Sequence, residues 1–242
     1  MDQDKKEKKP KKEKKVKLKS EIVKARERNI KLLKLILLII ALFLILLYFL
    51  LRIAFEQGAF TIILDQDLAK KTGLVMYESI QTKESRRILS TPRPEFIDNI
   101  SKDWLPKDIN DEADGTHNGE NYLAYTFYLE NQGDQTINYR YGILIDEVVK
   151  NVDTAMRIML YINGEPITYA KEKSNGEPEP NTTKFYSDTH VLFDVREGFK
   201  VGEIDKFTVV IWIEGDDPQC TDELIGGAMK MHFEITEEHI KE

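Results

Sequence analysis

Seventeen consecutive uncharged, apolar residues run from Leu35 to Leu51, bounded by Lys34 and Arg52. No other stretch constrains the chain so tightly. A helix rises about 1.5 Å per residue, so this run, taken with Leu32 and Leu33, can cross a hydrocarbon core of roughly 30 Å. Leu, Ile and Phe each favour insertion by roughly 0.3–0.6 kcal/mol near the bilayer centre, and no residue of the run opposes them. The sequence therefore predicts a transmembrane helix over residues 32–52, with Lys34 and Arg52 as its flanks and the lipid bilayer as its partner.

Charge gives that helix a direction. Residues 1–34 hold fifteen Lys or Arg against six Asp or Glu, a balance of +9; the whole chain carries −7, so the remainder carries −16. The positive-inside rule then puts the N-terminus in the cytoplasm and everything after Arg52 outside, in a single-pass protein of the cell membrane. A cleaved signal peptide is the competing reading, since it too has a basic start and an apolar centre. Against it, the run exceeds the roughly 7–15 residues of a signal core, and Ile53-Ala54-Phe55-Glu56 is a poor cleavage site. An uncleaved signal anchor fits better. The leader, residues 1–31, is Lys-rich; its Lys5–Lys19 stretch has almost nothing apolar to bury and is expected to be disordered. Attraction to anionic lipid is its functional reading. A nucleic-acid partner is not supported, because no aromatic or folded element accompanies the charge. From Ser20 to Lys34 apolar residues mix with the basic ones, so the helix can begin ahead of the membrane.

Residues 53–242 are left for one extracytoplasmic domain with a real core. Its signals are those of strands. Odd positions from Ile137 to Ile145 are large and apolar or aromatic, the period of a half-buried strand, and Leu123, Tyr125, Phe127 and Leu129 alternate likewise. The turn cluster Asn131-Gln132-Gly133-Asp134 between them predicts an antiparallel hairpin. Met156 to Ile162 alternate up to Asn163-Gly164, the dipeptide favoured in type I′ hairpins because both residues tolerate positive φ, and Ile167 and Tyr169 continue the return strand. Val191–Val195 and Phe207–Ile213 are β-branched and aromatic, Met229 to Ile235 alternate, and Phe60–Leu64 and Leu74–Tyr77 are early strands. The fold class expected is all-β: an antiparallel β-sandwich or jelly roll of about 8–10 strands. From Thr91 to Asp114 the pattern fades among Pro92, Pro94 and Pro106, with room for a short helix over Pro94–Ser101. Lys171–Lys184 reads as an exposed loop.

No catalytic constellation stands out. Cys220 is the only cysteine, which rules out an internal disulfide and suits an envelope where oxidative folding is little used. The histidines, His117, His190, His232 and His239, form no H-E-x-x-H pair of zinc ligands, and no G-x-S-x-G elbow or phosphate-cradling glycine loop is present. The densest local chemistry is Glu214 to Glu223, with five carboxylates in ten residues. Glu214, Asp216, Asp217 and Asp222 could give a calcium ion several hard oxygen ligands, although their spacing matches no EF-hand loop. Carboxylates also gather in loops simply because they hydrate well, so calcium stands as the candidate cofactor and a solvated loop as the bland reading. Asp111-Glu112-Ala113-Asp114-Gly115 is a weaker acidic loop.

Two stretches resemble known proteins. Gly115 to Gly133, with its strand followed by Asn131-Gln132-Gly133, resembles camelysin-like and matrix-fibre (TasA-like) exported β-sandwich proteins. Phe207 to Phe233 is similar to anchored exported proteins of Gram-positive bacteria through Trp212-Ile213-Glu214-Gly215-Asp216-Asp217-Pro218, Cys220 and Gly226-Gly227. The resemblance covers roughly Gly115 to Ile235 and implies a jelly-roll domain at the cell surface. Matrix-fibre proteins assemble or adhere, and camelysin is described as a metalloprotease; no metal-ligand motif or site residue carries over to this chain. Together these readings predict a non-enzymatic, membrane-anchored protein with a binding, adhesion or structural role at the cell envelope and an envelope or surface protein as partner. The alternatives are a metal-dependent, protease-like envelope hydrolase using the acidic loops with His117 or His190, and an accessory subunit of a membrane complex.

Overall fold

The computed structural model describes residues 9–55, 60–92 and 97–238, and divides into two compact units, Met1–Phe55 and Glu56–Glu242. The first unit is one helix, α1 (Lys9–Phe55). Within it Arg28–Leu50 is long and apolar enough to cross a membrane, and none of that window is buried by protein. The expected flanks, Lys34 and Arg52, both lie within α1. The helix differs from expectation at its start, since residues 9–19 are helical where disorder was foreseen. Lys and Glu are good helix formers. Pro10 falls in the first turn, where its missing N–H breaks no bond. Once the apolar segment is helical, propagation outward avoids the cost of a new nucleus.

The second unit is built almost wholly of strands: β1 (Phe60–Leu64), β2 (Leu74–Tyr77), β3 (Ile88–Thr91), β4 (Asn99–Ile100), β5 (Gly115–Thr116), β6 (Tyr122–Asn131), β7 (Ile137–Val149), β8 (Met156–Ile162), β9 (Glu165–Ala170), β10 (Thr183–Lys184), β11 (His190–Phe199), β12 (Ile204–Glu214) and β13 (Ala228–Glu237). One short helix, α2 (Gln66–Thr72), joins β1 to β2. Nothing apolar and periodic announces it. It rests instead on its caps: Asp65 accepts from the amides of Asp67 and Leu68, and Gly73 closes it at φ 72°. The strands form two mixed sheets, one in the order β11-β7-β13-β1-β3 and the other β10-β9-β8-β12-β6-β2, with β4 beside β12 and β5 against β6. Pairing is mostly antiparallel; β1 with β13, β9 with β10 and β12 with β4 run parallel.

The hairpin expected at Asn163-Gly164 is present, with Ile162 opposite Glu165 and φ of 52° and 92° at the two turn residues. The one expected at Asn131–Asp134 is not. There the chain leaves one sheet for the other, β6 pairing with β12 and β2 while β7 pairs with β11 and β13. The fully buried Asn131 makes the crossing. Its Nδ2 donates to the carbonyls of Gln135 (3.0 Å) and Phe199 (2.9 Å), and its Oδ1 accepts from Gly133 N (3.0 Å). Its backbone bonds Gly202 and Glu203 in the β11–β12 connection, a second crossing at the same end. Of the short helix expected at Pro94–Ser101, residues 94–96 lie outside the described residues, and Asn99–Ile100 is a strand.

Alternation explains where the core sits. Leu123, Tyr125, Phe127 and Leu129 of β6 meet the inward residues of β7 and β13 in one cluster drawn from both sheets. Phe127 stacks on Phe207 (5.1 Å between ring centres) and meets Phe233 of the other sheet edge-on (5.2 Å). The outward residues of β6 and β12 are buried as well. Ala124, Val210 and Trp212 are covered by Ile100, Leu105 and Ile109, so the proline-bearing stretch where the strand pattern fades is the lid of a second core.

Candidate functional site

From Trp212 the chain leaves β12 and crosses to β13 through residues 215–227, the segment that carries the acidic run. The four carboxylates singled out there turn to different partners. Glu214 accepts from Trp212 Nε1 (3.0 Å) and from the amide of Lys102 (3.3 Å). Asp216 accepts from Ser101 Oγ (2.6 Å) and is otherwise exposed. Asp217 is buried, paired with the guanidinium of Arg157, with its second oxygen on Gln219 N (2.7 Å). Asp222 is exposed at the start of a single 3-10 turn, Asp222–Leu224. Glu214 and Asp216 therefore fasten the segment to residues 101–102, while Asp217 fastens it to β8. Among the described residues, no group of three or more His, Cys, Asp or Glu is gathered closely enough to hold a metal ion.

Arg157 is a junction that sequence reading passed over. It is only 4% exposed and faces two buried carboxylates, Asp217 and, at 3.7 Å, Glu179 from the loop between β9 and β10. Two buried negative charges share one buried positive one. The signal for it was an arginine within the otherwise apolar run of β8. The weaker acidic loop is tied down in the same manner: Tyr128 donates to Asp114 (2.6 Å), and the Lys206 ammonium, bonded to Asp111 at 2.8 Å, holds that carboxyl below its ordinary value.

The histidines are placed apart. His117 is buried with both ring nitrogens facing backbone carbonyls, those of Gly115 (2.9 Å) and Ile109 (3.1 Å). His190 lies among Thr189, Ser187 and the rings of Tyr186 and Phe193. His232 pairs with Asp146 at 2.9 Å, and His239 is outside the described residues.

What the crossing segment does enclose is a cavity of about 350 Å³, within the roughly 300–1,000 Å³ usual for ligand pockets. Leu123 and Ile211 supply one wall and Met229 and Met231 the facing one, so the space opens between the two sheets. Val152 and Leu224 close one side; Asp98, Asn99, Thr221 and Cys220 bring the polar atoms. Gly226 and Gly227 form part of the rim. A Cβ on Gly227 would sit 2.8 Å from Leu224 O and 2.9 Å from Val152 Cβ, so only glycine lets the chain turn this tightly against the wall. Burial, followed by the charges of Asp217, Asp98 and Glu214, pushes the Cys220 thiol above its ordinary value, against a lowering hydrogen bond to Asn99. The sulfur is therefore a neutral, weakly polar wall atom rather than a thiolate nucleophile.

No protein-family model and no curated protein matches the chain. Among solved structures, a β-glucosidase from Kluyveromyces marxianus in complex with glucose is similar over 66% of this chain and 15% of its own, at 10% identity and a TM-score of 0.23. A selenomethionine-labelled structure of β-glucosidase from the same organism is similar over 66% and 16%, at 13% identity and a TM-score of 0.23. The chain thus spans less than a sixth of the length of these proteins.

Proposed function

We propose that this chain is a single-pass protein of the cell membrane with a cytoplasmic N-terminus. Its strand-rich domain is then an extracytoplasmic β-sandwich of jelly-roll type that binds a ligand or partner at the envelope and catalyses no reaction. The observation that carries the proposal is the cavity between the sheets. Its walls are apolar, its polar groups few, and its cysteine is held as a neutral thiol. Such a space recognises by burial of apolar surface rather than by attack on a bond. The aromatic core shared by the two sheets supports the sandwich reading, and the +9 balance ahead of the span supports the orientation. Kinship of Gly115–Ile235 with camelysin-like exported proteins is part of the same proposal and would agree with a surface location.

The test uses the full-length chain. A photoreactive residue in place of Ile225, on the exposed lip of the cavity, is expected to trap a discrete species in intact cells. Met229→Trp, which projects an indole ring into the space from its wall, is expected to abolish that product. Turnover of peptides or glycans by the purified protein, with or without added calcium, would overturn the non-enzymatic reading.

A further inference from the structure

The walls of the cavity narrow what it can hold. Building on the binding role just proposed, we infer that it takes one unbranched hydrocarbon chain with an uncharged head group, the acyl chain of a neutral bilayer lipid. Three of the six methionines of the protein, Met156, Met229 and Met231, line this one space. Methionine side chains are unbranched, with three rotatable bonds, and reshape around a linear guest. The facing walls come from both sheets, so a chain inserted from the rim lies between layers and away from water. The rim selects the head group. Asp98 lines the rim, and the Lys150 ammonium bonds the carbonyl of the lip residue Ile225 at 2.5 Å. The rim thus carries one charge of each sign, which suits a head group with no net charge. Asn99 and Thr221 offer hydrogen bonds to a neutral glyceryl or sugar head. The source is close in sequence: the apolar helix α1 ends at Phe55 and β1 begins at Phe60.

Full-length protein in phosphatidylcholine vesicles would be irradiated with a trace of diacylglycerol bearing a diazirine at the end of one chain, or with the matching phosphatidic acid. Peptides from residues 28–50 label in both and serve as the internal reference. The neutral probe is expected to label the Leu224–Met231 region about tenfold more than the anionic one. Met229→Trp projects an indole ring from the cavity wall, and Ile225→Asp charges a lip residue that is 65% exposed and so leaves the fold intact; each is expected to remove that label. The same chain on a soluble glucoside separates sources. Label from the glucoside alone keeps the chain chemistry and overturns the bilayer as its source. Label no greater than that on the exposed residues 174–178, or label undiminished in both variants, overturns the inference. A small uncharged aromatic diazirine separates this failure from failure of the binding role. If it labels the cavity and no acyl probe does, only the chain is wrong; if neither labels it, both readings fall.

Discussion

At the scale of single residues, the protein depends on side chains that satisfy several partners at once. Arg157 is the plainest case, neutralising Asp217 and Glu179 in a buried space. Removing one partner of a buried ion pair leaves an uncompensated charge, a loss of about 3–5 kcal/mol. Arg157→Ala is expected to lower stability by that amount in urea denaturation and to loosen both the β12–β13 crossing and the loop carrying Glu179. Cys220 gives a second test. Because burial and three carboxylates raise its thiol, alkylation by iodoacetamide is expected to be slower than for a free thiol at pH 7. Asp98→Asn should speed it. Glu130 gives a third. Burial acts to raise its carboxyl, but hydrogen bonds from Lys83, Tyr77 and Gln132 outweigh burial and bring it below the ordinary 4.5. Its contribution is therefore fully present above pH 4.5 and lost as pH falls through the lower folded value. Denaturation curves of Glu130→Gln against the native chain should differ by a constant amount above that pH and converge below it.

At the scale of elements, what alternation could announce was announced and what depends on distant partners was not. Met156–Ile162 and Asn163-Gly164 were legible because strand period and turn chemistry are both local. The partner of a strand is not local: Phe127 faces Phe207 in the ladder, and nothing in either run names the other. The same limit explains the misread hairpin. Asn131–Asp134 has the composition of a turn, but its geometry is set by Phe199, Gly202 and Thr72, far away in the chain. For the site, the acidic run was visible, while the pairing of Asp217 with Arg157 sixty residues away was not. The methionines of β13 were seen as alternation, and the cavity they line only exists once two sheets converge. Gly133 tests the crossing directly. A Cβ there would lie 1.9 Å from Thr72 O, a backbone atom that cannot swing aside. Gly133→Ala is expected to cost about 1–3 kcal/mol, measured as a fall in the denaturation midpoint. Gly164→Ala, with open space around it, should bring only the strain of its positive φ.

At the scale of the whole molecule, a helix able to span a membrane and a domain with its own core form two units, to which the proposed function gives location and recognition in turn. Protease added to intact spheroplasts is expected to digest residues 60–238 and spare the N-terminal segment. The opposite pattern would invert the proposed orientation. Deleting residues 28–50 should release the protein from the membrane fraction. The parallel pairing of β1 with β13 has a consequence for biosynthesis. Phe60 aligns with Met231, so β1 meets β3 soon after it is made but its other neighbour, β13, only about 170 residues later, and loops of that length close slowly. The five-stranded sheet cannot be completed until Ala228–Glu237 has left the ribosome. A nascent chain ending before Ala228 holds β1 with β3 and β7 with β11 as two separate pairs, without the strand that joins them.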